Sequence, residues 1–219
     1  MSGEALRERQ EQRDRILEAA LQHAAFDGWS TRTLLAAADD AGIDRATARR
    51  LFPQGGDSLL AWLDDWADRR MLEACPADEL QRLSIRRRVA RLVRARLEPL
   101  TPHREAVRRA LAARSLPGNL VEAGKGFWTT LDRIWQAVGL PPEADSGLDR
   151  YTRRLTLAGV LSATTLFWLD DASEGCAETW AFLDRRIEDA LEVGRLGGRL
   201  VDLLARIPGL GGLRRPARA

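Results

Sequence analysis

The chain has 219 residues, of which 30% are charged and 45% hydrophobic, and its formal net charge is +2 at pH 7. This composition is typical of a globular protein with one large or two small domains, and it excludes a strong basic field over the whole chain. Cys75 and Cys176 are the only cysteines, and His23 and His103 are the only histidines. We therefore predict no disulfide scaffold, no metal site and no cofactor.

The sequence also argues against export and against catalysis. Its start lacks the apolar segment of a secretory signal, and no stretch approaches the roughly 18 apolar residues of a membrane span. We expect a cytoplasmic protein, either soluble or lying on a membrane surface. No glycine-rich phosphate loop, nucleophile elbow or zinc signature occurs. Since His103 has no partner nearby in sequence, catalysis by the chain itself is not expected.

The first part of the chain has the pattern of a small three-helix domain. After a flexible segment 1–12, apolar residues recur at helical spacing from about Arg13 and stop near Gly28. Cap residues predict a second helix over 33–41 and a third over 45–51. A fourth helix follows from Asp57 to about Ala74. Two short helices joined by a glycine turn form a helix-turn-helix arrangement.

This N-terminal segment resembles the DNA-binding domain of TetR-type regulators, through Ala41-Gly42-Ile43 followed by Phe52-Pro53. In that family the third helix reads the major groove. Here it carries Arg45, Arg49 and Arg50. Arg49 stands where the family has a tyrosine, and Asp39-Asp40 lies near the expected phosphate. We therefore favour a solvated face and no nucleic-acid partner, with a TetR-type repressor as the alternative.

A strongly basic helix is predicted after Ser84. Its apolar stripe is opposed by arginines, and contact with acidic lipid or a partner is one interpretation. The favoured interpretation is the solvated face of an ordinary helix. The arginines are Arg86, Arg87, Arg88, Arg91, Arg94 and Arg96.

Three further helices form the centre of the predicted C-terminal domain. The helix 121–138 is rich in bulky aromatic side chains, and 155–169 has almost no charge and is apolar or small on every side. Such a helix is expected to be buried all round. The segment 176–191 has one apolar stripe and completes a helical hairpin. An ordinary core is the favoured interpretation. The alternative is that the small residues Ala158, Gly159, Ser162 and Ala163 leave room for a ligand.

The tail 194–219 has the pattern of an interfacial amphipathic helix. Apolar residues share one side and arginines the other, and Pro208-Gly209 ends the helix. Docking on its own domain or on another subunit is the alternative. The predicted membrane-binding residues are Leu196, Arg199, Leu200, Leu203, Leu204, Arg206 and Ile207.

Several motifs together resemble the ninth protein family of the coenzyme Q (Coq) series. The most specific is Thr179-Trp180-x-Phe182-Leu183-x-x-Arg186-Ile187. The others are Gly28-Trp29, Leu116-Pro117-x-Asn119, Trp135, Tyr151-Thr152-Arg153-Arg154, Leu157-Ala158-Gly159-Val160, Thr164-Thr165 and Asp170-Asp171. The resemblance implies a homodimer that binds an isoprenoid quinone or phospholipid and presents quinone precursors to a membrane-associated di-iron hydroxylase. It implies peripheral association with the inner membrane of a bacterium.

The resemblance also assigns roles to residues. The implied lipid-binding residues are Phe127, Trp128, Leu131, Trp135, Leu155, Gly159, Ser162, Phe167, Trp168 and Trp180. The implied partner-binding residues are Trp135, Asp149, Tyr151 and Arg154. The chain departs from the family at 140–150, which is longer and lacks the usual Asn-Trp before Tyr151. The predicted fold is therefore all-α and TetR-like, with domains over 13–56 and 57–193 and an amphipathic tail over 194–219.

Overall fold

The computed structural model describes residues 3–139 and 147–204, with side chains over 3–139 and 153–190, and all regular structure in those ranges is helical. The predicted all-α class is confirmed. Short 3-10 turns at 98–103 and 174–176 join longer helices. The helices are α1 (Gly3–Asp27), α2 (Thr31–Asp40), α3 (Arg45–Leu51), α4 (Gly56–Glu73), α5 (Ala77–Gln81), α6 (Ile85–Leu97), α7 (Arg104–Arg114), α8 (Leu120–Val138), α9 (Gly147–Asp170) and α10 (Ala177–Leu204).

The helix-turn-helix has the caps that the sequence predicts. The side chains of Ser30 and Asp44 accept hydrogen bonds from the Thr33 and Thr47 amides and so satisfy free N–H groups at the starts of α2 and α3. Gly42 has a φ of +66°, a left-handed conformation suited to glycine. At Gly56 a Cβ would lie 2.3 Å from the Trp29 carbonyl oxygen, so only glycine permits the two loops to meet.

Helix α1 begins ten residues earlier than predicted. It starts at Gly3 rather than near Arg13, and its first two turns are exposed. Residues 4–12 consist of glutamate, arginine, glutamine, alanine and leucine, which all favour helix without a buried face. The sequence prediction relied on apolar periodicity and therefore missed a helix that is stabilised by intrinsic propensity.

Helix α4 connects the two halves of the molecule through a buried ion-pair network. Asp68 is 1% exposed and accepts hydrogen bonds from Arg96 Nε at 2.8 Å and from the Thr130 hydroxyl at 2.9 Å. Arg133 bridges Asp68 and Asp65 at 3.2 Å and 2.8 Å. Because α6 and α8 supply these partners, α4 is fixed to the C-terminal helices by charge as well as by apolar contact.

The arginines of α6 are mostly engaged within the fold rather than forming the predicted solvated face. Arg88 donates to the carbonyl oxygens of Val138, Leu83 and Gln81 at 2.7, 2.9 and 3.0 Å. Arg91 donates to the last turn of α4 at the Ala74 carbonyl, 2.9 Å away. A positive charge at a helix C-terminus interacts favourably with the helix dipole. Arg87, in contrast to these two arginines, is exposed.

The expectation that 155–169 is buried on all sides is wrong. Leu155 and Leu166 are 63% and 60% exposed, and Gly159 and Ser162 between them also face outward. The opposite face of α9 is dry, with Leu157, Leu161 and Trp168 at most 3% exposed. Periodicity identifies apolar surface, but it does not show whether that surface is covered by the same chain. Helix α10 also continues through Gly194, where a boundary was predicted.

Candidate functional site

Helix α8 does not direct its aromatic side chains into a common interior space. Its most deeply buried residues are the aliphatic Leu131, Ile134 and Val138, which are fully buried. Phe127 and Trp135 are half-buried against the core, whereas Trp128 is 36% exposed. Apolar residues recur every three to four positions from 127 to 138. The aliphatic side chains among them face the core, and the aromatic rings lie to the side of that buried face.

The predicted lipid-binding residues therefore fall into two groups. Trp168 is fully buried behind α9, and Phe167 stacks on Phe182 with ring centroids 4.6 Å apart. Leu155, Gly159 and Ser162 lie on the outer face of the same helix. The structure thus does not bring all ten residues to one enclosed pocket. The four exposed members are these three residues of α9 and Trp128 on α8.

The turn between α9 and α10 is held by a buried carboxylate. Asp171 accepts hydrogen bonds from the Ser173 and Thr179 amides at 2.7 and 2.9 Å and from the Thr179 hydroxyl. Burial alone would raise the pKa of Asp171, but these hydrogen bonds outweigh it and hold the pKa well below its usual range. Trp180 closes the turn by donating from Nε1 to the Gly175 carbonyl at 2.8 Å. Asp171 therefore caps α10 as an anion.

Beside this turn lies an open cleft with a volume of about 540 Å3. Four of its six lining residues are polar or charged and none belongs to α8, so it differs from the wide apolar pocket expected from the aromatic helix. The lining residues are Phe167, Asp170, Asp171, Ala172, Ser173 and Glu178.

Arg104 was not singled out by the sequence, yet it lies behind the wall of this cleft. It donates from Nη1 to the Asp171 carbonyl oxygen and from Nη2 to Cys176 Sγ at 2.9 Å. Its guanidinium carbon lies 5.2 Å from the centroid of the Trp168 ring. Cys176 has a φ of +58°, which is unusual for a residue with a Cβ. No local motif reveals this cluster, because 72 residues separate Arg104 from Cys176.

The predicted partner-binding residues are only partly accessible. Arg154 is 9% exposed and donates from Nε to Asp132 at 2.5 Å, so it joins α9 to α8. Trp135 is half-buried, and its indole N–H is also buried. Asp149 and Tyr151 lie in the first two turns of α9, but their side chains fall outside the described residues. Arg154 therefore contributes to the fold, and an exposed contact through it would require breaking an ion pair.

The candidate DNA-reading helix is occupied by internal contacts. Arg45 forms a two-point pair with Asp39 at 2.6 and 3.1 Å, and Asp40 lies 2.6 Å from His23 Nε2. Arg50 donates to the Thr47 hydroxyl at 2.6 Å on its own helix. Asp39 of α2 thus lies against Arg45 at the start of α3.

The predicted membrane-binding tail is only partly described. Leu196, Arg199, Leu200, Leu203 and Leu204 lie within α10, although their side chains fall outside the described residues. Arg206 and Ile207 lie outside the described residues altogether. Within the described ranges, no helix has the length and apolar character needed to cross a membrane. No group of histidine, cysteine and carboxylate side chains suited to a metal ion occurs in the same part of the chain.

Comparison with known proteins confirms the family resemblance inferred from the motifs. Residues 120–194, which include α8, α9 and most of α10, match the family model described as COQ9. The mitochondrial ubiquinone biosynthesis protein COQ9 of Drosophila melanogaster is 30% identical over 191 residues, covering 83% of this chain and 56% of the relative. The Rattus norvegicus protein of the same name is 30% identical over 189 residues, covering 82% and 59%.

The relatives are longer proteins than this chain. The COQ9 protein of Homo sapiens is 28% identical over 186 residues, which are 82% of this chain and 58% of the relative. The chain thus spans somewhat more than half the length of the curated relatives it matches. Among solved structures, a TetR transcriptional regulator from Nitrosomonas europaea has a TM-score of 0.67 at 24% identity, covering 82% of this chain and 97% of the regulator. That likeness confirms the TetR-like fold and carries no function.

Proposed function

The chain is a relative of the COQ9 proteins of ubiquinone biosynthesis, and on this premise we propose that it is a lipid-binding accessory protein of that pathway. It binds isoprenoid quinone precursors with its C-terminal helices and presents them to a membrane-associated di-iron hydroxylase. The observation that carries the proposal is the match of 120–194 to the family, because this segment contains α8, α9 and most of α10. The reaction itself belongs to the hydroxylase, and this chain contributes no catalytic group.

Binding of an apolar lipid tail depends on the apolar surface area that is buried rather than on specific contacts. Burial of about 300 Å2 of hydrocarbon is worth roughly 7 kcal/mol before the cost of association is subtracted. The half-buried rings of Phe127 and Trp135, with Leu131 behind them, supply such area on α8. Because Leu131 is fully buried behind these rings, lipid entry requires α8 and α9 to separate. Among the described residues, the Arg154–Asp132 ion pair links α9 to α8.

The exposed strip of α9 is the surface that supports contact with protein. Leu155 and Leu166 are more than half exposed, and Gly159 and Ser162 between them allow a second backbone to approach closely. Large exposed apolar surface on a folded chain commonly marks an interface. We assign this strip to the second copy in a homodimer. The hydroxylase then meets the beginning of α9, near Tyr151 and Asp149, together with Trp135.

The tail provides the attachment to the membrane. Leucines at 196, 200, 203 and 204 with arginines at 199 and 206 are the pattern of a helix that lies in the interface of a bilayer with anionic lipid. The curated relatives are named as mitochondrial proteins. We propose that this chain acts at the corresponding bacterial surface, the cytoplasmic face of the inner membrane.

A TetR-type repressor is the competing function, and the charges on the helix-turn-helix oppose it. Arg45 is paired with Asp39, and Asp40 adds negative charge to the same side. Contact with DNA would require replacing these internal pairs with phosphate contacts.

Lipid extraction from the purified full chain, followed by mass spectrometry, tests the proposal. We expect a co-purified isoprenoid quinone or its precursor. Its absence, together with tight and salt-sensitive binding to a palindromic DNA site, would establish the repressor instead. The membrane role is tested separately by flotation with vesicles that contain anionic phospholipid. Deletion of 195–219 should abolish flotation, and a deletion that floats as well as the full chain would reject the tail as the membrane contact.

A further inference from the structure

Three buried polar groups without a hydrogen-bond partner lie on or beside the inner face of α9. They are the indole Nε1 of Trp168, the hydroxyl of Thr164 and the guanidinium Nε of Arg104. Thr164 and Trp168 are both fully buried. They are separated by one helical turn and therefore share a face. Arg104 lies against the Trp168 ring, with its guanidinium carbon 5.2 Å from the ring centroid.

A buried donor without a partner destabilises a protein, so such groups need a physical explanation. A threonine in a helix commonly donates to the carbonyl four residues earlier, and the adjacent Thr165 does so with Leu161 at 2.8 Å. Thr164 does not, although it has the same local backbone. The unpaired hydroxyl is therefore a property of its surroundings and not of the helix itself.

The chemical character of the group that would satisfy this cluster follows from its members. An indole N–H and a guanidinium N–H can only donate, and a hydroxyl can donate or accept. The complementary group is a hydrogen-bond acceptor that tolerates an apolar environment, since Leu161 and Leu157 flank Thr164 on the same buried face. A carbonyl oxygen carried on a hydrocarbon chain has these properties.

The cluster also lies close to solvent at one end. Arg104 Nη1 donates to the carbonyl of Asp171, and Asp171 lines the open cleft of about 540 Å3 at the α9–α10 turn. The backbone of this turn thus separates the cleft from the hydrogen-bond donors of Thr164, Trp168 and Arg104. A volume of this size is in the range that accommodates a small ring system.

We propose that Thr164, Trp168 and Arg104 form the polar anchor of the lipid site and bind a carbonyl oxygen of the lipid head. This proposal rests on the proposed lipid-binding function. It further specifies the end of the C-terminal domain at which the lipid head is bound. The apolar tail then extends from Thr164 along the inner face of α9 towards α8.

The test compares two probes that share a decyl tail, only one of which carries carbonyl oxygens. Decylubiquinone carries ring carbonyls, and decylbenzene carries the same chain without an acceptor. Affinities of the full chain are measured by isothermal titration calorimetry. Thr164→Val keeps the side-chain shape and removes the hydroxyl, and we expect it to weaken decylubiquinone binding by roughly 3- to 10-fold while leaving decylbenzene unchanged. Trp168→Phe should act in the same direction.

Two matched controls separate the anchor from general effects of substitution. Thr165→Val alters the neighbouring hydroxyl, which already has a partner in its own helix. Trp66→Phe removes another buried and unpaired indole N–H, which lies on α4. Neither control should change the ratio of the two affinities. Thr164→Val should not lower the melting temperature of the unliganded chain, because it removes an unsatisfied group.

Each outcome has one interpretation. If decylubiquinone and decylbenzene binding weaken equally, or if no carbonyl-bearing probe binds more weakly to Thr164→Val and Trp168→Phe, the anchor is refuted while lipid binding stands. If the unsubstituted chain binds neither probe, the proposed lipid-binding function fails and the anchor fails with it. A short-chain phosphatidylcholine distinguishes the source of the carbonyl. A loss confined to that probe retains the anchor and assigns an ester oxygen rather than a quinone oxygen to it.

Discussion

Replacing Asp68 by asparagine should destabilise the whole molecule. Asp68 is 1% exposed and receives hydrogen bonds from Arg96, Arg133 and Thr130. Arg96 is itself buried, and although burial would lower its pKa, the charges of Asp68 and Asp64 raise it above its usual value. Asparagine preserves the shape but leaves two guanidinium groups facing a neutral amide. Removing one partner of a buried ion pair typically costs about 3 to 5 kcal/mol.

For a chain of this length, a loss of 3 kcal/mol lowers the melting temperature by about 6 to 12 °C. Differential scanning calorimetry at pH 7 measures the shift. Asp78→Asn is the matched control, because its pair with Arg82 at 3.6 Å joins side chains that are 71% and 78% exposed, and such pairs contribute little. If the melting temperatures of Asp68→Asn and Asp78→Asn differ by less than about 2 °C, the network does not stabilise the fold.

Three further predictions concern other contacts. Arg88→Met removes donors to three carbonyls and should cost about 2 to 3 kcal/mol in urea unfolding, whereas Arg87→Met on the exposed side should cost almost nothing; equal effects would contradict the capping role. Replacing Leu155 and Leu166 by arginine should convert a dimer to a monomer in light scattering, and Phe26→Arg on α1 should not; an unchanged mass would place the dimer elsewhere. Since the folded pKa of Asp171 is lowered, its stabilisation is fully present above its usual pKa of about 4 and is lost progressively as the pH falls from there through the lowered folded pKa. Asp171→Asn should therefore be less stable than the unsubstituted chain at pH 7, and the difference should be smaller at pH 3, whereas Asp170→Asn should not show this pH dependence.

The positions of helix caps and turns could be predicted because they depend on local chemistry. Ser30, Asp44 and Gly42 have the roles that their residue types indicate, since a cap or a left-handed turn involves only a few consecutive residues. The bounds of α3 also agree with prediction, and those of α8 agree to within one residue. The start of α1 could not be located in this way, because its first turns have propensity but no apolar face.

The tertiary contacts of charged side chains could not be predicted in the same way. Arginines at 88, 91 and 96 look alike in sequence, yet Arg88 and Arg91 cap other helices and Arg96 enters a buried network. Whether an arginine caps another helix or enters the buried network depends on where α4 and α8 lie in space. The same holds for Arg104, whose partners Asp171 and Cys176 are far away in sequence.

The two faces of α9 explain why its uncharged segment 155–169 can be exposed on one side. Its inner face, with Trp168, Leu161 and Thr164, packs within the chain, and its outer face carries Leu155 and Leu166 into solvent. A chain that remained alone would gain from polar residues on that outer face, because exposed leucines promote association. Keeping both faces apolar is advantageous only if each is covered in use. Under the proposed function, the inner face holds the lipid and the outer face a second copy, so separation of α9 from α8 to admit lipid would be sensed directly at the dimer contact.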